Sequence, residues 1–233
     1  MKLSLVLPAY NEAAITADSV RAVDAELGGL GIDYEIIVAD DGSEDGTLEA
    51  AESVGLPKVR VIRRPHKGKG AALTAGLGAA TGDYVGFLDI DLEISEEYLP
   101  QFVDAVDSGY DIAIASKVLD DQERRSRPFK RRITTAGYNW LVRRLFSTGL
   151  GDHQAGLKLF RREVLIPILS SVESEGWLWD TEVLARAVAN GAKVKEIGVA
   201  TRLVRPGHVN VVSTSWEMLT QLFGLRKRLN GHH

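Results

Sequence analysis

Short apolar runs alternate with segments of helical periodicity along the first half of the chain. The runs are rich in Leu, Val and Ile, as strands buried on both faces are. The strands predicted from them are residues 3–7, 34–39, 59–62 and 84–88, and the helices between them include 12–27 and 71–80. Asn11 is placed to cap the first of these helices. Strands that alternate with helices at this spacing predict βαβ units and a mainly parallel sheet.

The second half continues the alternation with a larger helical share. We find no internal repeat and no linker, and we predict an α/β fold, a three-layer sandwich with a mainly parallel central sheet flanked by helices. We assign residues 1–212 to one domain and 213–233 to a C-terminal basic amphipathic helix. Further elements are predicted as helices at 96–108, 132–146, 177–189 and 213–229, a strand at 112–115 and a strand pair or bent strand at 194–204.

Right-handed crossovers would place the carboxyl ends of the parallel strands on one edge of the sheet. That edge would collect the polar segments that follow the first four strands, which are residues 8–12, 40–43, 66–70 and 89–93. Open α/β sheets bind ligands at this edge. We therefore expect the function to be carried there.

The composition is that of an ordinary globular protein, and it excludes several kinds of functional site. The 233 residues are 45% hydrophobic and 26% charged. The absence of cysteine excludes disulfides, thiolate metal sites and cysteine nucleophiles. A net charge of −4 gives no support to nucleic-acid binding through bulk electrostatics. No apolar run reaches the roughly 18 residues that span a bilayer.

Three acidic residues follow the fourth strand at alternating positions. If the backbone stays extended, Asp89, Asp91 and Glu93 point the same way and form one carboxylate patch. Carboxylates that close raise each other's pKa unless a cation lies between them. The pattern predicts a site for Mg²⁺ or Mn²⁺ that holds a phosphate-bearing substrate. The alternative is a solvated acidic turn.

Two loops that contain glycine border the same edge. Asp40, Asp41 and Ser43 follow a strand, where a carboxylate can accept hydrogen bonds from a base or a ribose. The segment 67–70, Lys-Gly-Lys-Gly, opens a helix, where backbone N–H and ammonium groups suit a diphosphate. It has neither P-loop spacing nor the GxGxxG fingerprint. A plain Asp-Gly turn and a solvated basic turn are the alternatives.

Two acidic segments of the second half are further candidates. Asp152 precedes His153 and Gln154 in a polar loop and can orient an attacking group. We favour a structural role for His153, as for most lone histidines in loops. Asp180 follows two tryptophans, whose faces can stack a sugar or a base. Taken alone, that segment favours a helix capped by Asp180 with a tryptophan in the core.

Basic residues concentrate around two amphipathic segments. One is the helix at 132–146 with the basic segment before it, and the other is the C-terminal helix, which ends near Arg226, Lys227 and Arg228. Basic amphipathic helices with aromatic residues can lie on anionic membranes. We favour membrane contact for this pair over helices packed on the sheet with solvated faces.

Taken in order, these motifs resemble the family 2 glycosyltransferases of GT-A fold, in particular the polyprenyl- or dolichyl-phosphate hexosyltransferases that transfer mannose or glucose. The likeness covers nearly the whole chain and implies a GT-A, Rossmann-like sandwich. Lys117 stands where the family has arginine, which keeps the charge but loses bidentate geometry. The residues that the resemblance assigns to the nucleotide sugar are Pro8, Tyr10, Asn11, Glu12, Asp40, Asp41, Ser43, Lys69, Gly70, Asp89, Ile90, Lys117 and Gln154.

The resemblance also implies a mechanism. An inverting enzyme would move a hexose from a nucleotide-diphosphate sugar to a polyprenyl or dolichyl phosphate, with Mg²⁺ or Mn²⁺ as cofactor. The protein would be cytoplasmic and peripheral on the cytoplasmic face of a membrane, with no nucleic-acid partner. The expected metal ligands are Asp89, Asp91 and Glu93, the expected catalytic residues Asp91, Asp152 and Asp180, and the expected acceptor-phosphate contacts Arg131 and Arg205.

Other functions stay open at this point. A glycosyltransferase with a hydroxyl acceptor, such as a glycan or polysaccharide, would need Asp180 as a base. A non-catalytic nucleotide-sugar-binding module would need no base at all. A sugar-phosphate nucleotidylyltransferase is disfavoured, because no glycine-rich, arginine-containing loop follows the first strand.

Overall fold

Strands and helices alternate through most of the chain, as the apolar pattern predicts. The computed structural model describes residues 1–120, 129–202 and 221–229, with the backbone alone for 129–135. The strands are β1 (Lys2–Ala9), β2 (Asp33–Asp40), β3 (Val59–Arg63), β4 (Tyr84–Leu88), β5 (Ile112–Ser116), β6 (Leu157–Arg161) and β7 (Val194–Gly198). The helices are α1 (Ala13–Gly29), α2 (Thr47–Glu52), α3 (Lys69–Ala79), α4 (Leu99–Asp107), α5 (Phe129–Phe146), α6 (Arg162–Leu169), α7 (Trp179–Ala189) and α8 (221–229).

The strands form one sheet in the order β3-β2-β1-β4-β6-β5-β7. β1 pairs in parallel with β2, from Lys2 opposite Asp33 to Ala9 opposite Asp40, and it also pairs in parallel with β4. β6 runs antiparallel between β4 and β5, and the other pairings are parallel. The predicted α/β fold with a mainly parallel sheet is therefore confirmed.

Alternating side chains of β1 fill a core on each face of the sheet. Leu5 and Leu7 are fully buried on one face, where Val23 of α1 packs. Val6 is fully buried on the other face with Leu73 of α3. Each fully buried side chain of this kind stabilises the fold by ~1.5–3 kcal/mol. Burial on both faces also fixes where the strand ends, and therefore where the polar loops leave the sheet.

Two of the predicted helix caps are wrong. Asn11 does not cap α1, because its φ of +54° turns the chain and its Oδ1 accepts the N–H of Glu44 at 3.0 Å. The N-cap is Glu12, whose side chain makes no capping hydrogen bond. Asp180 lies inside α7, which begins at Trp179. Asn11 instead joins two loops, and Asp180 instead pairs with Lys158 of β6.

The strand predicted at 194–204 is shorter than expected. It extends over Val194–Gly198, and Thr201 then forms an isolated bridge with Ile94. The backbone N–H of Arg202 donates to the carbonyl of Glu93 at 2.8 Å, which brings this segment beside the end of β4. The rest of that prediction and the beginning of the C-terminal helix lie outside the described residues.

Helices α5 and α8 pack on each other through a small apolar cluster. Val142 of α5 is buried there with Leu222 and Leu225 of α8, whereas Trp140 and Phe223 are exposed. Part of the apolar surface predicted to meet a membrane therefore lies inside the protein. The separate C-terminal unit and its membrane contact stay predictions. Across the described parts of the chain, no helix has the length and apolar character needed to cross a bilayer.

Candidate active site

A cavity of about 430 Å³ opens at the carboxyl edge of β1, β2 and β4. Its walls come from the segments that follow these strands, from the loop between β3 and α3, and from the loop before α7. This is the edge at which the sequence predicts a ligand. The lining residues are Pro8, Ala9, Tyr10, Glu12, Asp41, His66, Gly68, Lys69, Ala72, Asp89, Ile90, Asp91, Gly176 and Trp177.

Hydrogen bonds join the loop after β1 to the loop after β2. The N–H of Asn11 donates to Ser43 Oγ at 2.9 Å, and the N–H of Glu44 donates to Asn11 Oδ1 at 3.0 Å. The N–H of Glu12 donates to Thr47 Oγ1 at 2.8 Å. Asn11 and Ser43 therefore hold the wall of the cavity together and do not line it.

The neighbouring aspartates after β2 have different surroundings. Asp40 is fully buried, accepts the N–H of Ser43 at 3.2 Å and pairs with Arg63 at 3.6 Å, away from the cavity. Asp41 lines the cavity and accepts the N–H of Gly68 at 2.7 Å. Asp41 therefore connects the second loop to the third, and its carboxylate is the one of the two that can reach a ligand.

An aromatic pair forms the wall beside Asp41. The rings of Tyr10 and His66 stack with their centroids 4.1 Å apart, and His66 Nδ1 lies 2.8 Å from Asp41 Oδ2. The residue after Asp41 must be glycine, because Gly42 has a φ of +81° and a Cβ there would lie 2.7 Å from the backbone nitrogen of His66. A flat ring face beside a carboxylate suits a nucleobase and its ribose.

Helix α3 begins at the cavity, where its N-terminal end carries partial positive charge. Lys69 is its first residue, and Lys69 Nζ lies 2.5 Å from Asp89 Oδ1. Gly70 has no room for a side chain, since a Cβ would lie 2.5 Å from Trp179 Cβ. The close packing at Gly70 brings the loop before α7 against Lys69, whose Nζ lies 5.4 Å from the centroid of the Trp177 ring.

Asp89 and Asp91 lie on a turn and not on an extended strand. β4 ends at Leu88, and the N–H of Leu92 donates to the carbonyl of Asp89 at 3.0 Å. Leu92 has a φ of +50°, which redirects the chain. The predicted extended alternation of Asp89, Asp91 and Glu93 is therefore wrong, although Asp89 and Asp91 both line the cavity.

Glu93 is paired beyond the cavity lining. Its Oε2 lies 2.6 Å from Lys117 Nζ, and its N–H donates to Asp91 Oδ1 at 3.0 Å. Burial raises the pKa of Asp91, and the nearby carboxylates of Asp89 and Glu93 raise it further. Negative charge is therefore in excess around Asp91, a condition that a bound cation would relieve.

Asp89 and Asp91 have the chemistry that a hard divalent cation requires. Both offer carboxylate oxygens, and Asp89 is seated against Gly156, where a Cβ would overlap its carboxylate. In the described ranges, no three acidic or histidine side chains converge as a closed metal cage. Mg²⁺ is commonly held by one or two carboxylates together with waters and substrate phosphates. The residues present therefore fit such a cation, and its binding here stays a prediction.

Asp152 joins the end of β5 to the loop before β6. Its Oδ2 accepts the N–H of Lys117 at 3.1 Å, and its Oδ1 accepts the N–H of Gln154 at 3.1 Å. Its own N–H donates to Glu196 Oε1 at 3.2 Å. Asp152 is buried and neither it nor Gln154 lines the cavity. These contacts give Asp152 a framework role, and its predicted catalytic role gains no support from its position.

His153 is enclosed between two polar side chains. Its Nε2 lies 2.8 Å from Thr148 Oγ1 and its Nδ1 lies 2.9 Å from Asn139 Oδ1. Burial lowers the pKa of His153 to about 3, and the charges of Lys158 and Arg143 add to the shift. The imidazole is therefore neutral at physiological pH, in agreement with the structural role predicted for it.

Asp180 is held by a buried lysine next to the cavity. Lys158 Nζ lies 2.6 Å from Asp180 Oδ1, and both side chains are buried. The ring of Phe87 lies close to two ammonium groups, with its centroid 5.2 Å from Lys158 Nζ and 5.3 Å from Lys69 Nζ. Burial alone would lower the pKa of Lys69, but Asp89 and Asp180 outweigh burial and raise it.

The cavity brings together some of the residues predicted for the site and excludes others. Arg131 lies in α5 with its side chain outside the described part, and Arg205 lies outside the described residues altogether. The predicted residues that line the cavity are Pro8, Tyr10, Glu12, Asp41, Lys69, Asp89, Ile90 and Asp91. Those that do not line it are Asn11, Asp40, Ser43, Gly70, Glu93, Lys117, Asp152, Gln154 and Asp180.

Six lining residues lie outside the predicted set, and two of them, His66 and Trp177, carry rings that can contact a ligand. His66 directly precedes the Lys-Gly-Lys-Gly segment, and this adjacency to a predicted ligand loop was the available signal. Trp177 is one of the two tryptophans near Asp180 whose ring faces suit a sugar or a base, and this was the available signal for it. Glu196 and Lys158 complete the surroundings of Asp152 and Asp180.

The fold and the cavity define an open α/β domain with a polar ligand site at the carboxyl edge of its parallel strands. Residues 4–169 match the model of one protein family, Glycosyl transferase family 2, and the chain belongs to that family. The family resemblance predicted from the motifs is therefore confirmed.

Two curated relatives show how far the similarity extends. The chain is 39% identical over 206 residues to Glycosyltransferase AglD of Haloferax volcanii, covering 85% of this chain and 33% of the relative. It is 32% identical over 195 residues to undecaprenyl-phosphate 4-deoxy-4-formamido-L-arabinose transferase of Klebsiella pneumoniae, covering 82% of this chain and 57% of the relative. The matched region thus spans between a third and somewhat more than half of the length of these relatives.

Solved structures share the fold at lower identity. Glucosyl-3-phosphoglycerate synthase from Mycobacterium tuberculosis, in complex with Mn²⁺ and UDP-glucose, superimposes with a TM-score of 0.74 at 22% identity, covering 97% of this chain and 78% of that one. Mannosyl-3-phosphoglycerate synthase from Rubrobacter xylanophilus gives 0.71 at 20% identity, covering 100% and 76%. At such identities the likeness shows the fold, and it confirms the predicted GT-A class.

Proposed function

We propose that this chain is a metal-dependent inverting glycosyltransferase that moves mannose or glucose from a nucleotide-diphosphate sugar to a polyprenyl or dolichyl phosphate. The family supports glycosyl transfer, and the undecaprenyl-phosphate acceptor in the name of the Klebsiella relative supports a polyprenyl-phosphate acceptor. The observation that carries the proposal is the single cavity that joins the Tyr10–His66 stack to Lys69, Asp89 and Asp91.

The donor would lie along the cavity, with its base and its diphosphate bound by two different groups of residues. The stacked rings of Tyr10 and His66 would bind the base, and Asp41 beside them would accept hydrogen bonds from the ribose. Lys69 and the N-terminal end of α3 would attract the diphosphate. This order agrees with a nucleotide whose ring end is neutral and whose other end is strongly anionic.

Asp89 and Asp91 would hold the divalent cation, Mg²⁺ or Mn²⁺. When bound, it would supply charge stabilisation for the leaving diphosphate. The Mn²⁺ in the complex of the Mycobacterium tuberculosis enzyme supports the class of cofactor. Lys69 would add a fixed positive charge next to Asp89, and Glu93 would act through its contacts with Asp91 and Lys117.

The acceptor would need no strong general base. A phosphate monoester is anionic at neutral pH, so its oxygen can attack the anomeric carbon directly, and attack opposite the leaving diphosphate inverts the configuration. Asp180 is engaged by Lys158, and Asp152 accepts two backbone N–H groups. These contacts agree with roles in positioning for both carboxylates. Arginines 131 and 205 remain the proposed contacts of the acceptor phosphate.

The lipid part of the acceptor would contact the exposed surfaces of α5 and α8. Trp140 and Phe223 are exposed on these helices, and Arg226 and Lys227 follow on α8. Exposed aromatic and basic side chains suit an anionic membrane surface. In this proposal the protein works as a peripheral enzyme on the cytoplasmic face of a membrane.

The test is a transfer assay with a panel of nucleotide sugars, Mg²⁺ or Mn²⁺, and a short polyprenyl phosphate, read as labelled sugar extracted into organic solvent. We expect one donor to give metal-dependent transfer to the lipid phosphate. Transfer only to a free glycan would replace the acceptor class with a hydroxyl compound. Tight donor binding without transfer to any acceptor would leave a binding module and contradict the enzyme.

A further inference from the structure

Lys69 and Asp89 form an ion pair inside the cavity. Lys69 Nζ lies 2.5 Å from Asp89 Oδ1, and the side chains are 15% and 29% exposed. Both residues line the cavity. The carboxylate proposed as a metal ligand therefore already has an ammonium group beside it, and both side chains are partly exposed at the cavity.

The surroundings of Lys69 allow its ammonium group to move. Its Nζ lies 5.3 Å from the ring centroid of Phe87 and 5.4 Å from that of Trp177, within the range of cation–π attraction. A lysine ammonium is a compact charge on a flexible stem with three rotatable donors. It can leave Asp89 for a neighbouring anion while its backbone stays fixed at the start of α3.

The ion pair of Lys158 and Asp180, close to the cavity, is buried and cannot exchange partners in this way. Lys158 and Asp180 lie 2.6 Å apart, with side chains 0% and 3% exposed. A ligand has no access to that pair, and separating it would leave a charge uncompensated inside the protein. Exchange of partners is therefore confined to Lys69 and Asp89 among these two pairs.

We propose that Lys69 is an exchangeable counterion. It neutralises Asp89 before the donor arrives, and it passes to the diphosphate of the donor when a divalent cation takes its place on Asp89. This inference rests on the proposed function, since it requires a cation and a diphosphate at this site. No covalent bond changes, and only the partners of three charged groups are exchanged.

The exchange makes cation and diphosphate bind cooperatively. A cation that binds alone must displace Lys69, whose ammonium then has no carboxylate partner. A diphosphate that binds alone draws Lys69 away and leaves Asp89 without a counterion. When both bind, each supplies the partner that the other removes, so each raises the affinity for the other by the same factor.

The test compares Lys69→Met with Lys67→Met. Methionine keeps the length of the stem without the ammonium group. Lys67 is a matched control because it precedes Lys69 by two residues but does not line the cavity, is 53% exposed and pairs with Glu175 at 3.2 Å. Mn²⁺ affinity is measured by the electron paramagnetic resonance of free Mn²⁺, with and without UDP or GDP, and thermal melts confirm that each variant is folded.

We expect Lys69→Met to bind Mn²⁺ alone roughly tenfold more tightly than the unmodified chain, and to bind the nucleoside diphosphate alone more weakly. The factor by which the nucleotide raises Mn²⁺ affinity should fall at least ~5-fold in Lys69→Met and stay unchanged in Lys67→Met. An equal loss in both lysine variants would show general electrostatics and overturn the exchange.

Trp177 provides a second readout of the same movement. Mg²⁺ alone should change the part of the tryptophan emission that is missing in Trp177→Phe, because Lys69 leaves the neighbourhood of that ring. The change should be absent in Lys69→Met. A Mg²⁺ response that persists in Lys69→Met would contradict displacement of Lys69.

The two proposals fail in different ways. If the unmodified chain transfers sugar with a metal but Lys69→Met has unchanged Mn²⁺ affinity and coupling, the exchange is wrong and the transferase stands. If the unmodified chain transfers sugar yet binds no Mn²⁺ with or without nucleotide, the metal role and the exchange are both wrong.

Discussion

The half of the sheet around β1 to β4 and the half around β5 to β7 use the same pair of residue types for different purposes. Lys69 and Asp89 are 2.5 Å apart with side chains 15% and 29% exposed. Lys158 and Asp180 are 2.6 Å apart with side chains 0% and 3% exposed. The ion-pair distances are nearly the same, and the side chains differ in their exposure to water and ligand.

Access decides what such a pair can do. A partly exposed pair contributes little to stability, so its members can exchange partners at low cost. Breaking a buried pair leaves an uncompensated charge in the interior. The first half can therefore bind and release charged ligands, while the second half holds the loops that frame them. Substitutions confined to one half at a time test this contrast.

The largest effect is expected from Asp91→Asn in the accessible half. The amide keeps an oxygen that can accept the N–H of Glu93 but loses the charge that would hold the cation. We expect the kcat/KM of transfer to fall by about 10³-fold or more, as for loss of a main electrostatic group. Asp104→Asn, on the exposed face of α4, is the matched control. Near-normal turnover in a folded Asp91→Asn protein would contradict the metal role.

In the buried half, Lys158→Met should act on stability. It leaves the Asp180 carboxylate buried without its counterion, which costs ~3–5 kcal/mol of unfolding free energy. Urea denaturation measures the loss. Adding Asp180→Asn should restore part of it, and Lys69→Met should cost much less, because water reaches Asp89. Equal destabilisation by the two lysine changes would remove the contrast between the halves.

His153 should make the buried half sensitive to acid. Burial holds its folded-state pKa at about 3, below the ordinary 6.5, so between these values the unfolded chain binds a proton that the folded chain does not. Stability is therefore lost as pH falls below 6.5, by ~2–3 kcal/mol down to pH 4.5.

Urea denaturation between pH 4.5 and 7 with the unmodified chain and His153→Gln measures this loss. The variant should have the flatter profile. Glu35 contributes in a lower window, because hydrogen bonds from Thr81 and Ser4 outweigh the effect of burial and lower its pKa from 4.5 to about 2. Parallel profiles for the two proteins above pH 4.5 would show that His153 does not titrate as expected.

The sheet and its active edge could be predicted because their signals are local. The apolar runs of β1, β2 and β4 mark the strand ends, and right-handed crossovers bring those ends together. Asp41, Lys69 and Asp89 follow closely after strands, and all three line the cavity. The position of a residue within a few places of a strand end is fixed by where that strand ends.

The rest of the site depends on turns and distant partners that periodicity does not encode. Glu93 lies outside the cavity lining, and the φ of +50° at Leu92 before it is a conformation that alternation along a strand cannot predict. Asp180 meets a partner 22 residues away in Lys158. Trp177 reaches the cavity because Gly70, which has no side chain, lets the loop before α7 pack directly against α3.

Trp177 should give the smallest effect, because it supplies a ring face and no charge. Trp177→Ala should raise the KM for the nucleotide sugar about fivefold with little change in kcat, since a stacking contact is worth ~1–3 kcal/mol and the ring is partly exposed. Trp177→Phe keeps a ring and should retain most of the affinity.

Tyr10→Ala removes the ring that stacks on His66 and should weaken the binding of nucleoside diphosphate and nucleotide sugar alike. If Trp177→Ala weakens the nucleotide sugar more than the nucleoside diphosphate, the ring contacts the sugar. An unchanged KM for the donor would remove Trp177 from the donor wall and leave it as a neighbour of Lys69 alone.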